Sequence, residues 1–288
     1  PYKVQWIIVE EPIMKLRFSA GNFYAILVLC LIGCCEVMGM KKQSALVLAL
    51  CLFALVLAMC LYSAPRLAQE ATAYAQAAPV VVIDAGHGGE DGGAVSPDGV
   101  VESDLNLAIT RRLRDVLLFL GRDTVLTRTG EDAIYSPEAV TLREKKVSDL
   151  KNRVALINSQ PEAVLISIHQ NSMPDHPSVH GAQVFYNGTA SGPRLGETVQ
   201  AALNGAVNAG NGKNAKAIDS TIYLMKNVQC PAILVECGFL SNRTETGQLL
   251  TGGYQLKLAV CIAAGFLQHD TEAVSYTHLR AHETPEHL

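Results

Sequence analysis

Charge is scarce in this sequence, and neither sign dominates. Of its 288 residues, 23 are Lys or Arg and 27 are Asp or Glu, so the formal net charge is −4. Proteins that bind nucleic acids neutralise phosphates with clustered basic side chains and carry a basic surface for that purpose. The composition therefore argues against nucleic acid as a partner.

Long apolar runs are scarce outside the N-terminal part of the chain. Eighteen consecutive apolar residues occupy positions 45–62, and Lys41 and Lys42 stand just before them. A bilayer-spanning helix needs about 20 apolar residues, and positive charge marks its cytoplasmic side. We therefore expect residues 40–62 to be a signal peptide or membrane anchor and residues 63–78 to be an Ala/Gln-rich linker. The remainder should then lie outside the cytoplasm.

Both ends of the chain carry segments that we expect to be foreign to the folded protein. Residues 1–39 are interpreted as upstream or non-native leader sequence, with translation starting at Met40. Residues 271–288 are interpreted as a non-native tail, because 274–284 resemble the translation of a sequencing adapter. Three histidines of this tail are therefore excluded from any metal site: His278, His282 and His287.

Cysteine is too sparse in the remaining segment, 79–270, to build a disulfide framework. Five of the eight cysteines precede Ser63, which leaves Cys230, Cys237 and Cys261. Cys230 and Cys237 flank one apolar strand, which would separate them by roughly 23 Å, whereas a disulfide allows roughly 7 Å between Cα atoms. We therefore do not expect these two thiols to pair.

Segment 79–270 alternates short β-branched runs with amphipathic helices. The runs at 80–83, 163–168 and 231–235 are continuously apolar, as buried strands are. After the first run, helical periodicity extends to Leu120, with Ser103 as the expected N-cap. This alternation predicts a single catalytic domain of the α/β class. It should have a mostly parallel or mixed central sheet of about six strands, with helices on both faces.

Each of these three strands leads into a side chain that binds metals or transfers protons: His87, His169 and Glu236. Chemistry in open α/β sheets gathers at the carboxyl ends of strands. His87 lies in a glycine-rich stretch, but the G-x-G-x-x-G pattern of dinucleotide loops fails because Asp91 occupies the final glycine position. The strand ends therefore indicate a metal or acid-base site.

Two imidazoles and one carboxylate suffice for a catalytic zinc site that keeps a position open for water. His87 and His169 supply the imidazoles. On spacing alone, the acid remains open among five candidates: Asp84, Glu90, Asp91, Glu102 and Glu236. The residues themselves favour a metal hydrolase but leave its third ligand unidentified.

Four separated blocks within 80–268 carry a resemblance to a known family. They read IDAGHGGEDGGA at 83–94, GVVE at 99–102, SIHQN at 167–171 and ECGFLSN at 236–242. Thr127-Arg128 and Arg153 with Asn158 also fit. These blocks are similar to those of the zinc-dependent N-acetylmuramoyl-L-alanine amidases (type-3 amidases), especially the membrane-anchored spore-cortex, or germination-specific, branch. Two positions depart slightly from the pattern: Ala85, where proline is commoner, and the variable position of Cys237.

The resemblance implies a role for each residue of the site. His87, Glu102 and His169 would bind one zinc ion per chain, and Glu236 would be the catalytic carboxylate. Ligating imidazoles usually donate their second N–H to an acceptor, so Asp84 is a candidate for orienting His87. Asn171 is a candidate for substrate binding. For both residues, formation of a turn is the alternative interpretation.

The resemblance also implies a function. Zinc-activated water would cleave the amide between the lactyl group of N-acetylmuramic acid and L-alanine of the stem peptide, with Glu236 as general base and acid. The expected partners are peptidoglycan, as glycan strand with stem peptide, and the membrane, through the N-terminal segment. The enzyme would be anchored or secreted outside the cytoplasm of a spore-forming bacterium. Two alternatives are a membrane-anchored, non-catalytic peptidoglycan-binding module and a zinc peptidase that acts within the stem peptide.

Overall fold

The computed structural model describes residues 42–281. The predicted leader at 1–39 and the last part of the predicted tail lie outside the described residues. The chain divides into two compact units, Pro1–Tyr74 and Ala75–Leu288. The predicted segment boundaries after residues 62, 78 and 270 stay predictions.

The described part of the first unit is helical. Helix α1 (Lys42–Ala77) includes the apolar run and continues through the segment predicted as a linker. Its apolar side chains are exposed, including Leu55 and Met59. No single helix among the described residues is long and apolar enough to cross a bilayer, and the apolar stretch found in α1, Leu50–Pro65, is shorter than a span. One bent pair of helices, Arg243–Leu249 with Gly252–Thr271, passes by length and composition alone.

The second unit alternates strands and helices, as the sequence predicts. In chain order, its described elements are β1 (Val81–Ala85), α2 (Glu102–Phe119), β2 (Thr124–Leu126), α3 (Leu142–Asn158), β3 (Val164–Asn171), β4 (Gln183–Tyr186), α4 (Gly192–Ala206), β5 (Lys216–Ala217), α5 (Tyr223–Asn227), β6 (Ala232–Phe239), α6 (Arg243–Leu249) and α7 (Gly252–Ala281).

The strands form one six-stranded sheet in the order β2-β1-β3-β6-β4-β5. Strand β4 runs antiparallel to β6, and every other neighbouring pair is parallel. The sheet is therefore mixed, which confirms the predicted α/β class. Because β1, β3 and β6 are adjacent and parallel, their carboxyl ends meet at one edge, where ligand sites form in such sheets.

Helices cover both faces of this sheet. On one face, α2, α4 and α7 pack in a large apolar cluster that includes Ile109 and Phe266. On the other face, α3 and α5 contribute Ile157 and Leu224 to a smaller cluster. This two-sided burial explains why the central strands read as continuous apolar runs in the sequence.

Helix α2 begins before Ser103, contrary to the capping prediction. Glu102 is its first residue, and Val101 at the N-cap makes no side-chain hydrogen bond. The first N–H groups are satisfied by the preceding loop, since Glu102 donates to the Ala94 carbonyl and Ser103 to the Gly92 carbonyl. Loop carbonyls thus replace a capping side chain, and Glu102 is placed in the first turn.

Helix α7 approaches α4 closely at Gly265. A Cβ atom at this position would lie 2.5 Å from Val199 Cα and 2.8 Å from the Thr198 carbonyl oxygen. Both neighbours are backbone atoms of α4, so they cannot move aside unless the helix shifts. The missing side chain at Gly265 therefore permits this helix contact.

We predict that Gly265→Ala destabilises the domain by about 1–3 kcal/mol, because overpacking outweighs the roughly 1 kcal/mol that alanine gains over glycine in a helix. Gly205→Ala in α4 is the matched control, since a Cβ there meets no atom within 4 Å. It should be neutral or stabilising. Urea unfolding of both variants provides the measurement, and the idea fails if Gly265→Ala is as stable as the control.

Candidate metal centre and active site

Four elements bring the predicted site residues to one edge of the sheet. His87 lies in the loop after β1, Glu102 opens α2, His169 lies near the end of β3, and Glu236 lies on β6. Strands β3 and β6 pair in parallel with His169 directly beside Glu236. The topology thus assembles residues that are far apart in the sequence.

His87, Glu102 and His169 form a compact cluster of metal-binding groups. One ligand atom from each lies within 4.8 Å of the other two. The Glu102 Oε1 atom is 3.4 Å from His87 Nε2 and 3.0 Å from His169 Nδ1. Two imidazoles and one carboxylate, converging at this range, fit the three-ligand set of a catalytic metal site.

Buried hydrogen bonds hold the Glu102 carboxylate in place. Its oxygens accept from the backbone N–H of Ala94 at 2.8 Å and of Gln170 at 3.1 Å, and from Asn106 Nδ2 at 3.2 Å. Burial alone would raise the pKa of Glu102, but the contact with His169 and the other donors hold it at about 2. The carboxylate is therefore ionised, as a metal ligand must be.

The His87 ring is oriented by Asp91, a residue that spacing offered only as a possible ligand. Asp91 Oδ2 lies 3.0 Å from His87 Nδ1, on the side of the ring opposite to the cluster. Lys146 Nζ lies 3.0 Å from the other oxygen of Asp91. A carboxylate in this position fixes the tautomer and the direction of a metal-binding imidazole.

Asp84 lies elsewhere, although the sequence suggests it as the orienting partner of His87. It accepts hydrogen bonds from Thr127 Oγ1, Ser167 Oγ and Arg153 Nη1 at 2.6 to 2.7 Å. Burial would raise the pKa of Asp84, but Arg153 and the hydroxyl donors hold it at about 2. Its link to His87 is indirect and runs through Arg153, which donates to the His87 carbonyl.

Asn171, the other candidate for a supporting role, makes local contacts at the end of β3. Its side-chain oxygen accepts from the Ser172 N–H at 2.8 Å, and its carbonyl accepts from the Leu240 N–H at 2.8 Å. These contacts close the turn and join β3 to the end of β6. They agree with the turn interpretation.

Glu236 is the carboxylate next to the cluster that lacks a partner. Its Oε2 atom is buried without a hydrogen bond to any group in the described part of the chain. Burial raises the pKa of Glu236 to about 7, even though His169 opposes the shift. A carboxyl group with a pKa near neutrality is suited to proton transfer.

Cys237 is excluded from the site by the alternation of the strand. Its side chain is fully buried in the large apolar cluster on the other face of the sheet. Burial there raises the pKa of the Cys237 thiol far above its usual range. The thiol therefore serves as an apolar core group.

A cavity of about 530 Å³ opens in front of His87, His169 and Glu236. Pockets of about 300–1,000 Å³ are typical of small-molecule sites. Its apolar wall is formed by side chains from three segments: Tyr135, Leu142, Leu150, Ile222, Tyr223 and Leu224. The cluster therefore faces a space in which an extended substrate can lie.

Gly86 makes room for the His169 ring. A Cβ atom at Gly86 would overlap the Cε1 and Nε2 atoms of that imidazole. The ring thus packs directly on the backbone that leads to His87. Any side chain at position 86 would displace one metal-binding residue from the other.

The structure thus distinguishes among the acids that spacing left as candidates for the third ligand. Glu102 joins the two histidines, Asp91 supports His87, and Glu236 faces the cavity. Glu90 forms an ion pair with Lys145 at 2.6 Å. Sequence reasoning gave no role to Arg128 and Arg153, whose one signal was their fit to the family pattern.

An α/β sheet with a two-histidine, one-carboxylate cluster and a buried, unpaired glutamate at its edge defines a metal-dependent hydrolase. Residues 81–268 match the family Amidase_3, described as N-acetylmuramoyl-L-alanine amidase. The chain belongs to this family.

Several relatives are similar over the same part of the chain. The germination-specific N-acetylmuramoyl-L-alanine amidase of Bacillus subtilis is 37% identical over 194 residues, which cover 67% of this chain and 80% of the relative. The amidase LytC of the same organism is 30% identical over 192 residues, which cover 66% of this chain and 35% of LytC. The solved CwlD amidase of Clostridioides difficile, in complex with the GerS lipoprotein, is 36% identical with a TM-score of 0.65. The similarity covers 67% of this chain and 99% of that one.

The activity follows from the family. The chain hydrolyses peptidoglycan at the amide between N-acetylmuramic acid and L-alanine of the stem peptide. It therefore acts on a bacterial cell wall, outside the cytoplasm. This confirms the predicted enzyme class over the non-catalytic binding module and the stem peptidase.

We predict that Gly86→Ala lowers the affinity for a divalent metal by about 10- to 100-fold, the range for losing a residue that orients a ligand. The reason is displacement of the His169 ring. Gly188→Ala is the control, because a Cβ there meets nothing within 4 Å. Metal content after dialysis against graded chelator is the measurement, and equal retention by both variants would refute the steric explanation.

Proposed function

We propose that His87, Glu102 and His169 bind one zinc ion per chain and that Glu236 is the general base and general acid of amide hydrolysis. One observation carries this proposal: Glu236, which lines the cavity and carries a buried oxygen without a hydrogen bond, lies beside a cluster of three metal-binding groups. No donor in the described part of the chain bonds to this oxygen, so the carboxylate is free to accept a proton.

Zinc suits this donor set better than magnesium or calcium does. Two imidazoles and one carboxylate form a known catalytic zinc combination, whereas magnesium and calcium prefer oxygen ligands alone. When bound, zinc lowers the pKa of water toward about 7 and polarises a carbonyl group. The proton transfers are then performed by a side chain of the protein.

Glu236 performs two proton transfers in this scheme. Its carboxylate accepts the proton of the attacking water, and the same carboxyl group then gives the proton to the nitrogen of the departing L-alanine. Burial and the neighbouring Glu102 favour the protonated form, while His169 favours the ionised form. Burial thus raises the pKa of Glu236 above the usual range of a carboxyl group, which favours a group that both accepts and returns a proton.

The apolar wall of the cavity is the surface on which we propose that the substrate binds. Tyr135 and Tyr223 offer aromatic faces, and Leu142 and Ile222 extend this wall. The lactyl and alanyl methyl groups on the two sides of the scissile amide match such a surface. Binding there would place the scissile amide in the cavity that His87, His169 and Glu236 line.

We further propose that the substrate is spore-cortex peptidoglycan in a spore-forming bacterium. A relative at 37% identity is named as germination-specific. The solved CwlD relative is in complex with a lipoprotein, so a lipoprotein is the kind of protein partner we propose. Germination of spores from a deletion strain is the assay, and normal germination would argue for a vegetative role.

We also propose that residues 40–62 anchor the chain in the membrane, with 63–78 as tether to the catalytic domain at 79–270. The apolar run and the preceding lysines support this. Leu55→Arg should reduce membrane association, since arginine at the centre of a span costs about 2.5–3.5 kcal/mol on insertion. Leu55→Ile is the control, and cell fractionation gives the readout. A secreted product without residues 40–62 would show that the segment is a cleaved signal.

For the catalytic roles, we predict that Glu236→Gln retains zinc but loses about 10²- to 10⁴-fold of the hydrolysis rate, the usual contribution of a general acid-base group. His169→Ala should lose both the zinc and the hydrolysis. Glu197→Gln, on the exposed surface of α4, is the matched control and should change neither property.

The measurements are zinc per chain and the appearance of free N-terminal L-alanine during digestion of purified peptidoglycan. Full activity of Glu236→Gln would remove this residue from the mechanism. New termini within the stem peptide would contradict the assigned bond.

A further inference from the structure

His87 has a backbone conformation that residues with a side chain rarely adopt. Its φ angle is 60°, in the left-handed region. Such a conformation is unfavourable for a residue with a Cβ, and it persists where the surrounding structure holds it in place. Neighbouring groups must therefore hold His87 in this conformation.

Three successive carbonyl groups of this loop accept hydrogen bonds from two buried arginines. Arg153 Nη1 donates to the Ala85 carbonyl at 2.7 Å, and its Nη2 donates to the His87 carbonyl at 2.6 Å. Arg128 donates to the Ala85 carbonyl at 2.9 Å and to the Gly86 carbonyl at 3.2 Å. The backbone from β1 to His87 is thus bound on consecutive residues.

Arg153 and Arg128 act on different parts of the site. Arg128 also donates to the Ser103 carbonyl at 2.8 Å, so it joins the β1 end to the first turn of α2. Arg153 contacts the carbonyl of the strained residue itself. The orientation of His87 therefore depends more directly on Arg153.

The Arg153 guanidinium is itself rigidly fixed. The residue is 1% exposed, and its Nη1 and Nε donate to Asp84 at 2.6 Å and Asp149 at 2.8 Å. Two carboxylates balance its charge, so this cation does not oppose a metal ion nearby. Its planar fork reaches two carbonyls and two carboxylates at once, which a lysine ammonium cannot do.

We propose that Arg153 is the positioning residue that holds His87 in its left-handed conformation and thereby aims its imidazole at Glu102 and His169. This inference rests on the proposed metal site. Among the described residues, the Arg153 guanidinium donates to two carboxylates and two backbone carbonyls and to none of the three metal-binding side chains. Its effect reaches the site through the backbone of His87, which makes metal affinity the property that depends on it.

The test compares Arg153→Lys with Ile157→Ala in the purified full-length chain. Ile157 is fully buried, lies one turn along α3 and belongs to the apolar cluster, so its truncation weakens the same helix without touching the loop. Zinc Kd is measured by competition with a chelating dye, and stability by urea unfolding. We expect Arg153→Lys to weaken zinc binding by about 10- to 100-fold, whereas Ile157→Ala keeps the zinc Kd of the parent.

A second readout separates positioning from general damage. At saturating zinc, Arg153→Lys should recover most of the parent kcat, because the carboxylate of Glu236 is unchanged. Equal zinc Kd values for Arg153→Lys and the parent would overturn the inference. A parent chain that binds no zinc would instead overturn the proposed metal site.

Asp149→Asn covers the case in which Arg153→Lys fails to fold. It leaves the arginine in place but weakens its anchorage, so zinc affinity should fall in the same direction by a smaller factor. An unchanged zinc Kd in Asp149→Asn would then refute the proposal.

Discussion

The buried ion pair of Asp84 and Arg153 links more of the structure than any apolar contact at the site. Asp84 ends β1, bonds to Ser167 on β3 and to Thr127 after β2, and meets Arg153 from α3. Taking two charges out of water is unfavourable, so such a pair persists when further hydrogen bonds satisfy it. Here the remaining donors of Arg153 are used by the His87 loop. Two strands, the segment after a third, one helix and the His87 loop thus share one polar junction, and loss of one charged partner would leave the other charged and buried.

Two glutamates of the site have opposite protonation behaviour because their surroundings differ. Glu102 accepts three N–H donors and has a pKa of about 2, whereas Glu236 has an unpaired oxygen and a pKa of about 7. Groups whose environments separate their pKa values in this way divide into distinct roles. The donors around Glu102 suit a permanently charged ligand, and their absence around Glu236 suits a group that gains and loses a proton. The division of labour is thus set by the partners of Glu102, His169 first among them, and by the burial of Glu236.

Local pattern predicted the framework of the site well, because His87, His169 and Glu236 each follow an apolar strand and parallel strands end at one edge. Spacing did not single out Glu102 among the five candidate acids, and the resemblance supplied it. The partner of His87 was also beyond local pattern. Asp91 reaches the ring because the backbone turns through positive φ at His87 and the two glycines after it, and hydrophobic periodicity carries no information on such a turn. The predicted start of α2 was wrong for a related reason. Loop carbonyls accept from the first N–H groups of the helix, in place of the expected Ser103 cap.

The two faces of the sheet are stabilised by different means, and the active site lies on the polar one. Helix α3 buries only Asp149, Arg153 and Ile157, whereas the opposite face packs the large cluster of α2, α4 and α7. An apolar contact tolerates small shifts of a helix, but a forked guanidinium between two carboxylates and two carbonyls does not. The polar face therefore combines a smaller apolar area with a stricter geometry. Because Arg153 on α3 also bonds the His87 loop, a change in these hydrogen bonds, unlike a change in the apolar packing of the helix, alters the geometry of the metal-binding cluster.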